Sequence, residues 1–283
     1  MTEAERPFEM SIKKYILLFT GVTTVFTAAF FSAPFAHASA AVGNSPVTSL
    51  QSGLVGYWTF DGQHTNWATG KTFDRSGKGN NGTMTNMVSS TVPVAGKTGQ
   101  AFLFDGSNDK VDAGNASSVQ ITGAITMSTW VKWNVLPSGG SGADWQTIFS
   151  KANGQFNAPA SDQYSFAVSD SSLAAILACD GTTRAQVNSM ISTSNLKTNR
   201  WYHLAATWDG TTNTNGVKGY IDGVLVQQAT SAIASGTDKG VNLHFGVQSG
   251  GFGVAHNGSI DETRLYNRAL SAAEIQQLYN LGR

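Results

Sequence analysis

From Leu54 onward the chain is cut into short runs of Val, Ile, Leu, Phe, Tyr and Trp. Gly, Asn, Asp or Ser stops each run, with turn signals about every 8–12 residues, a rhythm that leaves room for strands and almost none for helices. Ile125–Trp133 is the clearest run: Ile125, Met127, Val131 and Trp133 alternate with Thr126, Ser128, Trp130 and Lys132. Strands are expected at Leu54–Phe60, Gly99–Phe104, Lys110–Asp112, Ile125–Trp133, Gln146–Lys151, Tyr164–Val168 and Leu173–Cys179. Further strands are expected at Trp201–Trp208, Lys218–Asp222, Val224–Gln228, Asn242–Val247 and Ile260–Tyr266. Asp222-Gly223 between two runs is a two-residue hairpin signal. Residues 63–87, with the glycine- and asparagine-rich stretch Asp74–Thr83 at their centre, are expected as loop. In Ile260–Tyr266, strict alternation places Asp261 and Glu262 on opposite faces. Ser271 and Glu274 form a capping box that opens a short closing helix with Ile275, Leu278 and Tyr279 as its apolar stripe. The fold class is therefore all-β, a two-sheet antiparallel sandwich or a barrel, with a short C-terminal helix.

The amino terminus follows different rules. Lys13 and Lys14 precede an apolar run from Tyr15 to about Phe35, and Ala36-His37-Ala38-Ser39-Ala40 offers small-x-small cleavage after Ala38 or Ala40. Residues 1–40 are thus expected to be a signal peptide, with Met10 as a second candidate start and an uncleaved membrane anchor as the competing reading. Residues 41–52 read as a linker and 53–283 as one domain. Secretion or cell-surface display follows, with membrane contact only through an uncleaved amino-terminal segment. The chain of 283 residues carries no net charge, which gives no electrostatic reason to expect a nucleic-acid partner. Cys179 is the only cysteine and lies in an apolar run, so the chain has no intrachain disulfide and the thiol reads as buried and inert.

Seven segments then resemble one family. They are Gly53–Asp61, Asp74–Thr83, Gly99–Asp109, Ile125–Val131, Trp201–Gly210, Tyr220–Val224 and the closing stretch from Gly258 to Tyr279. In this order they are similar to the laminin-G-like and concanavalin A-like jelly rolls of bacterial secreted proteins. The resemblance implies two curved antiparallel sheets with the first and last strands adjacent. It also implies a carbohydrate-binding or adhesive module, although some sheets of this shape carry glycoside hydrolases or lyases.

The carboxylates argue against catalysis. After residue 40 the only glutamates are Glu262 and Glu274, and the capping box accounts for Glu274. Glycoside hydrolysis normally needs two carboxylates facing one bond. The strand pattern Glu-x-Asp-x-x-Glu of hydrolases with this fold is missing, and no aspartates pair along a strand face. His64, His203, His244 and His256 show no zinc spacing. A structural Ca2+ is the better candidate, with Asp61, Asp74, Asn81 and Asp261 as oxygen ligands. If the first and last strands pair, as the resemblance implies, Asp61 approaches Asp261, and two such carboxylates repel unless a cation joins them. The competing reading makes them turn-formers and edge charges.

Carbohydrate sites present aromatic rings to sugar faces. Trp58, Trp201 and Trp208 fall at framework positions, whereas Trp67 and Trp145 fall in loops and Trp130 and Trp133 on opposite faces of one strand. Trp67, Trp145, Trp130 and Trp133 are therefore the candidate ligand-binding residues. The expected function is an exported, non-catalytic binding module for a glycan. A surface adhesion or structural protein with a protein ligand is the alternative, and a hydrolase or lyase with an atypical site is the third.

Overall fold

A computed structural model describes residues 46–138, 145–152, 154, 160, 162–248 and 254–283. The expected signal peptide, Met10 and the first residues of the linker lie outside the described residues. Within the linker stretch, Pro46–Gln51 forms a helix, α1. The strands that follow are β1 (Leu54–Trp58), β2 (Thr65–Asn66), β3 (Lys71–Thr72), β4 (Gly82–Thr85), β5 (Pro93–Ala95), β6 (Gln100–Asp105) and β7 (Lys110–Asp112). Next come β8 (Ile125–Trp133), β9 (Gln146–Ala152), β10 (Asp162–Val168), β11 (Ser172–Cys179) and β12 (Arg184–Ser192). The chain ends with β13 (Trp201–Trp208), β14 (Val217–Ile221), β15 (Val224–Ala229), β16 (His244–Phe245), β17 (Val254–Ala255), β18 (Asn257–Tyr266) and helix α2 (Ala272–Leu281). Among the described residues no helix is long and apolar enough to cross a membrane.

The strands form two sheets, as the turn rhythm requires. Sheet A runs β15-β14-β13-β8-β18-β6-β5, with β1 also paired to β18. Sheet B runs β12-β11-β10-β9-β16-β7-β4-β3-β2, with β17 beside β9. All pairings are antiparallel except β17 with β9. One apolar core fills the space between the sheets, with Trp58, Phe102, Trp133, Phe149, Phe166 and Trp208 among its largest members. A second, smaller cluster lies on the outer side of sheet A, where Ile275 and Leu278 of α2 cover Leu54, Ala205, Tyr220 and Tyr266.

The first and last strands pair, with Leu54 opposite Tyr266 and Trp58 opposite Thr263. The strict alternation expected in β18 fails. A bulge lies between Asp261 and Arg264 in the pairing with β8, and Glu262 takes φ 51 there. The extra residue shifts the facing by one, so Ile260 and Leu265 both enter the core although they are an odd number of residues apart. β1 also stops earlier than expected, because Phe60 takes φ 56 and turns the chain out of the strand. The hairpin at Asp222-Gly223 forms as read, both residues having positive φ (51 and 78), which is the type I′ requirement. The capping box on α2 forms in full.

Candidate functional site

Directly opposed residues of neighbouring strands project to the same face. His244 of β16 stands opposite Asp112 of β7 and Ser150 of β9. Ser150 stands opposite Ser165 of β10, Ser165 opposite Ile176 of β11, and Ile176 opposite Gln186 of β12. Their chain neighbours Val111, Phe245, Phe149, Phe166, Ala175 and Val187 enter the core. A single row, Asp112–His244–Ser150–Ser165–Ile176–Gln186, therefore crosses five strand boundaries on the outer face of sheet B. Thr147, opposite Ala167, adds a hydroxyl to the same face.

Ser150, Ser165 and Thr147 are buried, and none of their hydroxyl oxygens has a hydrogen-bond partner. An unsatisfied buried hydroxyl costs about 1–3 kcal/mol, and native folds tolerate few of them. All three residues have no exposed surface, so the patch they share is closed to solvent. At the Asp112 end the row opens, the Asp112 side chain being 30% exposed. Asp112 accepts from Asn242 Nδ2 at 3.0 Å and from the Gly114 amide at 2.8 Å, and lies 3.5 Å from His244 Nε2. Burial pushes the Asp112 carboxyl up, but the bonds from Asn242 and Gly114, with His244 and Lys110 nearby, outweigh it and hold the group below its usual range. Burial pushes His244 down, against the pull of Asp112, so a neutral imidazole faces a carboxylate.

The four candidate tryptophans separate. Half-buried Trp145 packs on Ala167, Ala174, Ile176 and Cys179, the same outer face of sheet B as the hydroxyls. Trp133 is wholly buried in the core against Tyr202. Trp130 faces out from sheet A but lies under α2, stacked on Tyr279 at 5.6 Å, with Lys97 Nζ 4.7 Å from its ring. Trp67 leans on the core edge, 5.6 Å from Phe102. Cys179 is buried, and burial pushes its thiol up to about 12, so it stays protonated and inert.

The four candidate metal ligands fall into two groups. Asp74 is saturated by its own turn: it accepts from the amides of Tyr57, Ser76 and Asn80 and from the Ser76 hydroxyl, while Asn81 Oδ1 accepts from the Asp74 amide. Asp61 and Asp261 instead share the turn of residues 96–100. Asp61 Oδ1 accepts from the Gln100 amide at 2.7 Å, and Asp261 Oδ2 accepts from the amides of Lys97 and Thr98 at 2.8 and 3.1 Å. Asp261 Oδ1 is buried and unpartnered. Burial pushes the Asp261 carboxyl up to about 8; the Lys97 and Thr98 amides oppose this, and the charges of Glu262 and Asp61 add to it. Among the described residues no three His, Cys, Asp or Glu side chains converge on one point.

Both glutamates among the described residues are committed elsewhere. Glu262 accepts from Tyr57 Oη at 2.8 Å and from Arg264 Nη2 at 2.6 Å, and the Arg264 guanidinium lies 3.9 Å from the centre of the Tyr57 ring. Glu274 accepts from both terminal nitrogens of Arg268 and from the Ser271 amide. Neither faces a second carboxylate across an open groove.

Residues 105–276 match the family model described as the concanavalin A-like lectin/glucanases superfamily. The chain belongs to that superfamily. No curated protein sequence matches it. Among solved structures, the binding domain of Paraclostridial Mosquitocidal Protein 1 is similar, with a TM-score of 0.60 and 16% identity, over 82% of this chain and 53% of that one. Domain 4 of AbnA, a GH43 extracellular arabinanase from Geobacillus stearothermophilus solved in complex with arabinotriose, has a TM-score of 0.52 and 20% identity, over 80% of this chain and 98% of that one. A botulinum neurotoxin type C structure, whose cell entry is described as dependent upon interaction with two ganglioside molecules, has a TM-score of 0.57 and 16% identity, over 84% and 53%. The chain thus spans about half the length of the two toxin structures. At these identities the likeness establishes the shared concanavalin A-like fold.

Proposed function

We propose that this concanavalin A-like chain is an exported, non-catalytic carbohydrate-binding module, with its glycan on the outer face of sheet B. The observation that carries the reading is the half-buried Trp145 indole on the outer face of sheet B, the face that also carries the partly exposed Asp112 carboxyl. An indole next to polar groups is the usual platform for a pyranose or furanose face. The commitment of Glu262 to Arg264 and Tyr57, and of Glu274 to Arg268 and Ser271, supports binding without hydrolysis. The test is affinity electrophoresis against neutral plant and microbial polysaccharides, followed by calorimetry with matching oligosaccharides. Saturable binding that Trp145→Ala weakens by tenfold or more supports the site; the absence of retardation on every polysaccharide refutes it.

Calcium is part of the same proposal. The unpartnered Asp261 oxygen and the neighbouring Asp61 carboxylate fit a hard cation, which would supply the charge that the Asp261 pocket lacks. Asp74 and Asn81, closed within their own turn, are structural in this reading. Export through residues 1–40 is tested by sequencing the amino terminus of the protein recovered from the medium. A start after Ala38 or Ala40 supports secretion, and an intact, membrane-bound amino terminus supports the anchor.

One observation favours the alternative of a protein ligand. Among the described residues β15 pairs only with β14, and its Val224, Leu225 and Val226 are 61%, 40% and 44% exposed, an apolar sheet edge of the kind that pairs with other chains. Binding to extracellular protein with no response to any glycan would select this reading.

A further inference from the structure

Beside α2, the outer face of sheet A carries a second constellation. Trp201 of β13 stands opposite Lys132 of β8, and Lys132 opposite Ser259 of β18. Their chain neighbours Tyr202, Val131, Trp133 and Ile260 enter the core, so this row projects outward. The next row on the same face holds His203, Trp130 and Asp261. Strand residues two apart lie roughly 7 Å from one another, which sets the two rows side by side. Trp201 falls at a framework position in the sequence. Its indole is nevertheless half-buried, and it belongs neither to the main core nor to the cluster under α2. Among the described residues its ring partner is the Lys132 ammonium.

Two features set the chemistry that fits. The first is unmatched positive charge. Lys132 Nζ stands 5.0 Å from the centre of the Trp201 ring, and Lys97 Nζ 4.7 Å from that of Trp130. Among the described residues neither lysine forms an ion pair. The acids of this face are occupied. Asp261 accepts from the Lys97 and Thr98 amides, Asp105 from the Ser107 and Asn108 amides, and Asp222 pairs with Arg200. An ammonium over an indole gains about 0.5–1 kcal/mol at an exposed site, which holds it in place while it keeps N–H donors for a ligand. Charges fixed in this way pair with an anion at little further ordering cost.

The second feature is the polar surround. Half-buried Asn257 continues the face past Ser259, with exposed Asn134 beside it, the Asn134 backbone amide donating to the Asn257 carbonyl at 3.0 Å. Side-chain amides beside an indole match the hydroxyls and the apolar face of a sugar ring. A nucleic acid needs a larger positive field than an uncharged chain with two such lysines supplies.

We propose that this face is a second carbohydrate site, selective for an acidic polysaccharide. Lys97 and Lys132 pair with its carboxylate or sulfate groups, and Trp201 packs on a sugar ring. The site lies on the other sheet from the Trp145 face and does not depend on it.

The full chain is run in native gels containing polygalacturonate, dextran sulfate or single-stranded DNA, and retardation is followed against polymer concentration. We expect saturable retardation by an acidic polysaccharide, weakened severalfold as salt rises from about 50 to about 300 mM. Polygalacturonate alone would mark carboxylate as the recognised group, dextran sulfate alone would mark sulfate, and both would mark a site that takes either. Lys97→Gln combined with Lys132→Gln, both at partly exposed positions, should weaken binding about tenfold or more, whereas arginine at the same two positions should keep it. Trp145→Ala should leave it as it is, so the failure of either site is read separately. Four results would each overturn the proposal: no retardation by either acidic polysaccharide, equal retardation by DNA, full binding by the double glutamine variant, or loss of binding in Trp145→Ala.

Discussion

Asp261→Asn offers the sharpest test of the closing strand. In the folded chain without a cation, burial raises the Asp261 carboxyl from 3.8 to about 8. The sign follows from proton linkage: a carboxyl whose folded pKa is raised holds its proton longer in the native state, so its stability contribution is complete below pH 3.8 and is lost as pH rises through 8. Each unit of difference is worth about 1.4 kcal/mol, so the three units between pH 5 and 8 amount to roughly 4 kcal/mol at the upper bound. That is a large share of a domain stability of about 5–15 kcal/mol. At about 2–4 °C per kcal/mol for a domain of this size, the chelated protein should melt about 8–16 °C lower at pH 8 than at pH 5. The asparagine keeps an oxygen for the Lys97 and Thr98 amides but cannot ionise, so its melting curve should vary much less over the same interval. Calcium should restore the parent protein at pH 8, by about 2.7 kcal/mol at a hundredfold excess over Kd, and should leave the variant unmoved. Scanning calorimetry at pH 5 and 8, with chelator or with calcium, reads all four cases. Equal pH slopes for the two proteins in chelator would refute the reasoning, because the titration would then belong to other groups.

Three further outcomes follow from the same geometry. Glu274→Ala removes the carboxylate that Arg268 and the Ser271 amide share, and should cost about 1–2 kcal/mol in urea denaturation. Hydrogen bonding from Arg268 holds Glu274 down at about 2, so its contribution is present above the ordinary value of 4.5 and disappears as pH falls to 2, a loss the alanine variant should not show. Trp130→Ala empties a buried site between Tyr279 and Lys97, and should destabilise by about 3–5 kcal/mol with early exchange of the α2 amides. Gly258→Ala places a methyl group inside the contact distance of the Lys132 carbonyl at φ 153, and soluble yield should fall steeply compared with alanine at open Gly123.

What could be read from the sequence was local. Ser271 and Glu274 lie within one helical turn, and Asp222-Gly223 within one hairpin, so their chemistry is complete in a few residues. β12 escaped because its pairing with β11 is interrupted by two register shifts, which break the period of two across Arg184–Ser192. The short β2 to β5 have too few residues to show any period and are held by their neighbours. The closeness of Asp61 and Asp261 was expected once first and last strands were paired, whereas Asp74 is just as acidic and turns inward on its own amides. The hydroxyl row needs the register of Ser150 with Ser165 between two strands, and a single strand does not contain that information. Tyr164–Val168 carried a faint signal, since Ser165 is a lone serine between apolar neighbours, whereas Gln146, Thr147, Ser150 and Lys151 flank Ile148 and Phe149 without alternation. Among the tryptophans only burial separates Trp145 from Trp133, and burial depends on the other sheet.

The position of β18 also sets a timetable. The last of the described strands lies inside sheet A, paired with β1 at one end and with β6 and β8 along its length. Until residues 257–266 leave the ribosome or emerge from a translocation pore, β1 has no neighbour and β6 and β8 each lack one edge. Contacts this far apart in the chain close slowly, so the nascent protein stays unlatched for nearly its whole elongation. A chain interrupted just before Asn257 would hold almost every apolar residue of the core and still expose the seam through the middle of a sheet. Premature stops ahead of β18 should therefore be recognised as unfolded and degraded, while stops placed after α2 should pass.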